Sequence, residues 1–250
     1  MTPTEGLYQA VQSAYDHFNR HLFQQALPPV LITMQRQRHV MGYFSADRWT
    51  SQSGKHCHEI AINPAYVASA KLIEFAQTLA HEMTHCWQHC YGQHQSQRSY
   101  HNTEWGKKMQ EIGLMPSSTG RSGGRKTGQL MMEYTIPDGP FIAACVTLLN
   151  DKQFMLPWID RCPLPGVIGT EDTVLTEALA GMDTPIIAQL TARVSHLFGE
   201  AAFHPTQPVN RSPSKTQYRC PSCLVNVWGK PHLRLRCDVC DLAMGCITAE

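Results

Sequence analysis

The apolar positions of this chain fall into stretches of different period, and each period predicts an element. Leu7, Val11, Ala14, Tyr15, Phe18 and Leu22 recur at three- and four-residue steps, the spacing of one helical face, and Leu27-Pro28-Pro29 ends that segment. Three strand-like runs follow at 30–35, 40–45 and 58–62, the last closed by Asn63-Pro64. Across 71–91, Leu72, Phe75, Ala76, Leu79, Met83, Trp87 and Cys90 form a second helical stripe. Glu74, Thr78, His81, Glu82, His85 and His89 fall towards a different face of that helix, and Gly92 stands where it should stop. Trp105, Met109 and Ile112 mark a shorter helix with Asn102 or Thr103 as its cap. A helix, a short sheet and then a long helix is an α+β order.

The chain beyond is less periodic. Residues 116–140 are rich in Pro, Ser and Gly and read as a flexible loop, a candidate lid beside a cleft. Their Gly-Gly-Arg-Lys-Thr nearly matches a phosphate-binding loop, but Arg125 replaces the glycine required before Lys-Thr, so no nucleotide site is expected. Residues 141–149 predict an apolar helix or strand, and 171–198 a helical pattern broken at Pro185. With Pro205, Pro208 and Pro213 among polar residues, the following stretch reads as a linker. The expected organisation is a main domain over 1–160, a helical extension over 161–198, a linker over 199–217 and a small domain over 218–246.

Candidate chemistry sits on the long helix. Residues 81–85 read His-Glu-Met-Thr-His, so His81 and His85 lie one turn apart on one face and can reach one metal ion. Glu82 then projects beside the metal, placed to take a proton from a metal-bound water. A catalytic zinc needs a third protein ligand and an open position. The continuation with Gly at 88 and His at 91 is excluded, because the chain has Gln88 and Tyr91 there. Glu104, Glu111, Glu133, His94 and His101 remain as third ligands.

A second metal set stands at the C-terminal end. Cys220-x2-Cys223 and Cys237-x2-Cys240, 13 residues apart, have the spacing of a zinc ribbon. Four thiolates close the coordination shell, so this zinc is structural and holds together a segment too short for a core of its own. Cys90 and Cys145 fall in apolar stripes and read as core thiols, Cys86 points away from the metal, and Cys57 lies in a strand-like run.

His-Glu-Met-Thr-His-Cys-Trp-Gln, followed by a Gly, a polar loop, Tyr100-His101, Trp105, Met109 and Gly113-Leu114, resembles the SprT-like (Spartan-type) zinc metalloproteases. Upstream the resemblance takes in Tyr15-Asp16-His17-Phe18-Asn19, Leu27-Pro28, Gly42-Tyr43-Phe44 and Glu59-Ile60-Ala61-Ile62-Asn63-Pro64, so it covers about the first 115 residues. It implies a zincin-like, minigluzincin-type fold, with His81, His85 and His101 as zinc ligands and Glu82 as general base. With the cysteine set, two zinc ions are expected, one catalytic and one structural, and the resemblance further implies cleavage of proteins bound or crosslinked to DNA.

Composition limits the partners. At 42% apolar and 16% charged residues with a net charge of +1, the chain suits a globular protein without bulk attraction to nucleic acid. No apolar run reaches membrane-spanning length and the N-terminus is neither basic nor apolar, so a cytoplasmic protein is expected, nucleoid-associated if bacterial. Basic side chains concentrate late in the chain. Arg219, Lys230, Arg234 and Arg236, with Trp228, Tyr218 and His232 as stacking groups, predict contact with DNA, single-stranded rather than double-stranded. Two rivals remain: a DNA-binding zinc protein without turnover, and a general peptidase whose ribbon docks proteins.

Overall fold

The computed structural model describes residues 1–37, 40–94, 100–152, 154–164, 179, 181, 184–199, 203–206 and 215–247. The chain divides into two compact units, Met1–Thr206 and Gln207–Glu250. Among the described residues, no helix is long and apolar enough to cross a membrane.

The first unit is a mixed α/β body. Helix α1 (Pro3–Leu22) opens with a capping box: Glu5 N–H donates to Thr2 Oγ1, and Thr2 N–H donates to the Glu5 carboxylate at 2.7 Å. Its stripe of Val11, Ala14, Tyr15, Phe18 and Leu22 is buried. The sheet contains β1 (Val30–Met34), β2 (Gly42–Thr50) and β3 (His56–Ile62) in the order β1-β3-β2, β1 parallel and β2 antiparallel to β3. Ile32, Ile60 and Ile62 face the core. Strand β2 runs beyond the expected 45 to residue 50, because a bulge between Ser45 and Trp49 restores its pairing after the alternation breaks.

Asn63-Pro64 ends β3 and also starts a short helix, α2 (Pro64–Val67), that periodicity did not signal. Asn63 Oδ1 accepts the Ala65 N–H, and its amide donates to the carbonyls of Gln37 and Val40. Helix α3 (Leu72–Tyr91) begins with Lys71 N–H donating to the Glu74 carboxylate and buries Leu72, Phe75, Ala76, Leu79 and Met83. Trp87 and Cys90 lie partly buried at the core margin. At its end Gly92 is extended rather than left-handed (φ −69°), and a Cβ there would collide with the Gln88 carbonyl. Helix α4 (Thr103–Glu111) takes Asn102 as its cap.

Part of the expected loop 116–140 is a hairpin, β4 (Leu114–Ser117) with β5 (Met132–Thr135). Four-residue strands, one containing Pro116, carry too little alternation to be read as strands. The apolar run after it is a helix, α5 (Pro140–Lys152), with Phe141 stacked on Phe18 at 6.0 Å between centroids. Pro185 does not break a helix: it lies in the first turn of α6 (Thr184–Thr191), where its missing N–H costs nothing. Most of the expected extension upstream of α6 lies outside the described residues. A 3-10 turn follows at Val194–Phe198.

Of the expected linker, residues 203–206 belong to the first unit, with Thr206 N–H donating to the Arg161 carbonyl at 2.6 Å; 200–202 and 207–214 lie outside the described residues. The second unit contains β6 (Thr216–Arg219), β7 (Asn226–Gly229), β8 (Arg236–Cys237), β9 (Leu242–Ala243) and β10 (Gly245–Ile247). Its sheets are β10-β6-β7 and β8-β9, all antiparallel. Residues 233–235 form no strand. His232 turns left-handed (φ 65°), and the Leu233 N–H goes to the Tyr218 hydroxyl instead of a ladder.

Gly113 joins α4 to β4 at φ +95°, and a Cβ there would lie 2.8 Å from the Phe141 nitrogen. Gly113→Ala should therefore cost at least about 2 kcal/mol by chemical denaturation, from combined backbone strain and a backbone clash. Gly54→Ala, also at positive φ but with nothing within 4 Å, should cost about 1 kcal/mol.

Candidate metal centre

Helix α3 brings His81 and His85 to one face with ring centroids 5.1 Å apart. His101 arrives from the segment before α4 and is pinned by Gly128: His101 N–H donates to the Gly128 carbonyl at 2.7 Å, and Gly128 N–H returns a bond at 3.1 Å. His101 Nε2 then lies 3.0 Å from His81 Nε2 and 3.1 Å from His85 Nε2. His101 Nδ1 faces the Gly128 carbonyl at 3.1 Å, and His81 Nδ1 faces the Glu133 carboxylate at 3.0 Å. A carbonyl and a carboxylate can only accept, so both rings carry their proton on Nδ1 and turn an Nε2 lone pair inward. Two lone pairs at 3 Å repel unless a proton or a metal ion lies between them. The donor set therefore fits a metal ion, and ligand atoms of His81, His85 and His101 all lie within 4.8 Å of one another.

Buried Trp105 lines the site, its ring centroid 4.8, 5.4 and 4.4 Å from those of His81, His85 and His101. Burial and the neighbouring His81 and His101 push the His85 pKa well down, and burial with His81 brings His101 down to about 4, so both rings are neutral and free to ligate. For His81, burial also opposes the charged form, but the charge and hydrogen bond of Glu133 outweigh it and raise the pKa.

Glu82 is buried beside this cluster, and burial with the nearby Glu133 charge pushes its pKa up to about 7, against the lowering effects of His81 and the Phe44 backbone. Space for Glu82 comes from β2: a Cβ at Gly42 would meet the Glu82 Cγ at 3.3 Å and the Thr78 methyl at 3.1 Å.

The other third-ligand candidates are engaged elsewhere. Glu104 accepts the N–H groups of Gln93 and His94 at 2.8 and 3.0 Å, closing the chain after α3. Glu111 pairs with Lys108, and the His94 side chain is largely exposed. Glu133 reaches the site as the partner of His81 Nδ1, and no periodicity placed it there. Gly128 and Phe44, which position His101 and Glu82 through their backbones, carry no side-chain signal at all.

In the second unit Cys220, Cys223, Cys237 and Cys240 converge, with Cys223 and Cys237 sulfurs 3.6 Å apart. The set is compatible with a zinc ribbon. Arg219, Trp228, Lys230, Arg234 and Arg236 are all exposed. Arg236 is paired with Asp241 at 2.7 Å. Tyr218 is not available for stacking: it is 2% exposed, its hydroxyl donating to the Lys230 carbonyl and accepting from Leu233.

The raised Glu82 pKa has a stability consequence in the metal-free chain. Between about pH 4.5 and 7 folded Glu82 keeps a proton that the unfolded chain has released, so its contribution falls as pH rises through that window. Glu82→Gln, measured by denaturation with chelator present, should stabilise the chain at pH 8 relative to pH 5, by on the order of 3 kcal/mol at most. An equal effect at both pH values would mean that Glu82 does not titrate in this range.

Comparison with known proteins agrees with the site. The SprT-like family model matches residues 11–122, which include His81, Glu82, His85 and His101. An uncharacterized protein in the mucB 3′ region of Salmonella typhimurium is 46% identical over 59 residues, 23% of this chain and 80% of that protein. No solved structure matches the chain. The chain belongs to the SprT-like family, a membership that suggests a metallopeptidase-type enzyme.

Proposed function

We propose that the chain is a zinc-dependent metalloendopeptidase of zincin-like, minigluzincin-type architecture, acting on proteins associated with or crosslinked to DNA. The observation that carries the peptidase reading is the convergence of three imidazoles with a buried carboxylate, Glu82, beside them. His81, His85 and His101 hold the zinc. When bound there, zinc supplies Lewis-acid polarisation of the scissile carbonyl and of the attacking water. Glu82 would take a proton from the attacking water and return it to the leaving amine. Glu133 keeps the His81 proton on Nδ1 and the ring oriented. Strand β2 ends one side of the sheet, and its Phe44 backbone holds Glu82, so an extended substrate would align along it by strand addition.

The DNA-directed part of the proposal is supported by the second unit. Trp228 lies opposite Gln217, two residues from Arg219 on β6, so the indole and the guanidinium share one face of that sheet. The indole is 58% exposed, an open platform for a base, with Lys230 and Arg234 close by in sequence. A second reading, a general peptidase with a protein-docking ribbon, is favoured by the exposed Leu224, Val225, Leu233 and Val239 of the same unit.

Glu82→Gln should retain zinc and lose peptide hydrolysis by about 10²–10⁴-fold. Hydrolysis at the wild-type rate would place the base elsewhere. His101→Ala should lose the zinc of the first unit, which metal analysis reads directly; zinc retained there would make another residue the third ligand.

Removing the second unit at its boundary near residue 206 should weaken single-stranded DNA binding and flatten its salt dependence, while cleavage of a free peptide continues. Trp228→Ala should weaken the same binding by about 1–3 kcal/mol. DNA affinity untouched by both changes, with a protein partner lost instead, would favour the docking reading.

A further inference from the structure

A further group of metal-binding side chains comes together away from both sites above. Asp47, His58 and His89 each place one donor atom within 4.8 Å of the others. Three elements build the group. His89 lies one helical turn beyond His85 on α3, and His58 lies on β3. Asp47 sits in the β2 bulge between Ser45 and Trp49, in the left-handed region at φ 47°. That conformation is costly for most side chains and best tolerated by Asn, Asp and Gly. Here it turns Asp47 onto His58: the Asp47 N–H donates to His58 Nδ1 at 2.9 Å, and its Oδ1 lies 3.3 Å from the same nitrogen. The His58 and His89 rings meet edge to face at 5.0 Å, and Phe44 packs against both, at 5.6 and 5.8 Å.

A backbone N–H can only donate, so His58 presents a lone pair at Nδ1 and carries its proton on Nε2. Nε2 faces the Cys90 sulfur at 3.7 Å, which accepts that proton's hydrogen bond and fixes the ring. The Nδ1 lone pair, which the Asp47 N–H engages, and the Asp47 carboxylate are thus two acceptors 3.3 Å apart, and a positive centre between them would bind both. A proton on Nδ1 is one such centre, but it would set that nitrogen against the donating Asp47 N–H. A metal ion is the other, and the adjoining His89 imidazole gives it a third ligand. Metal bonds of about 2.0–2.2 Å put neighbouring donors of a tetrahedral ion about 3.3–3.6 Å apart, and Asp47 Oδ1 and His58 Nδ1 stand 3.3 Å apart.

We propose that Asp47, His58 and His89 form a separate metal site for a divalent ion of the zinc class, bound through His58 Nδ1, a His89 ring nitrogen and the Asp47 carboxylate. Loading replaces the Asp47 N–H bond to Nδ1, and that amide turns to solvent at a residue whose side chain is about half exposed. The ion fastens the β2 bulge to β3 and α3. This site shares no ligand with His81, His85 and His101, and it does not depend on the peptidase reading.

The test is calorimetric titration of full-length protein, already carrying zinc in its tighter sites, with zinc chloride alone. One further equivalent should bind and raise the melting temperature. His89→Gln and Asp47→Asn should each weaken it beyond the ~10–100-fold that loss of an outer-shell partner costs. Asn tolerates the left-handed backbone, so Asp47→Asn keeps the bulge even if a histidine change perturbs folding. Both variants should keep the remaining zinc content of the wild type by metal analysis. His81→Ala should remove only the equivalent at the α3–His101 site, which separates failure here from failure there. Absence of the further equivalent would leave Asp47 and His58 joined by their hydrogen bond alone. Its persistence in both variants would place the ion elsewhere; either result overturns the proposal.

Discussion

The first unit is organised around three imidazoles that a cation would draw together. His81 and His101 face one another through Nε2 atoms 3.0 Å apart. Glu133 and Gly128 hold a proton on Nδ1 of each ring, which leaves Nε2 turned inward. Trp105, fully buried against all three rings, and the reciprocal backbone bonds of His101 and Gly128 are the parts that hold the cluster.

The same low-dielectric setting divides labour between two carboxylates. Glu133 has a donor in His81 and remains its partner. Burial first, and the nearby Glu133 charge after it, push Glu82 up to about 7. A bound dication would favour the ionised form of Glu82, which makes its raised pKa a property of the metal-free state.

Much of this was legible in the chain, and what was not has a physical reason. The pair His81 and His85 is a local signal, because helical periodicity alone puts i and i+4 on one face. The stripe on α3 and the four cysteines of the second unit are equally local. His101 is not: its arrival depends on a chain reversal after Gly92 and on backbone pairing with Gly128, so spacing left it among five candidates. Glu133 is harder still, since it sits on a four-residue strand within a stretch whose Pro, Ser and Gly content reads as loop. Tyr218 misled in the other direction. Flanked by basic residues it resembled a stacking group, yet its hydroxyl bridges Lys230 and Leu233 inside the second unit, and only the fold reveals that.

Strand β2 connects these local facts. Its first residues shape the pocket: Gly42 leaves room for Glu82, and the Phe44 backbone holds that carboxylate. Its middle is a bulge, with Asp47 held left-handed and turned onto His58. The ring of Phe44 meanwhile packs on His58 and His89, so one residue touches both regions, backbone to one and side chain to the other. A sheet-edge strand is ordinarily the most easily displaced part of a sheet, and it is also the part that an extended peptide would pair with. Anything that fixes the bulge, whether a hydrogen bond or a metal ion, limits how far β2 can slide along β3, because a one-residue slip would move Gly42 away from Glu82 and put a side chain in its place. The constraint at Asp47 and the space at Gly42 are therefore two halves of one requirement, a register for β2 that keeps the carboxylate pocket open.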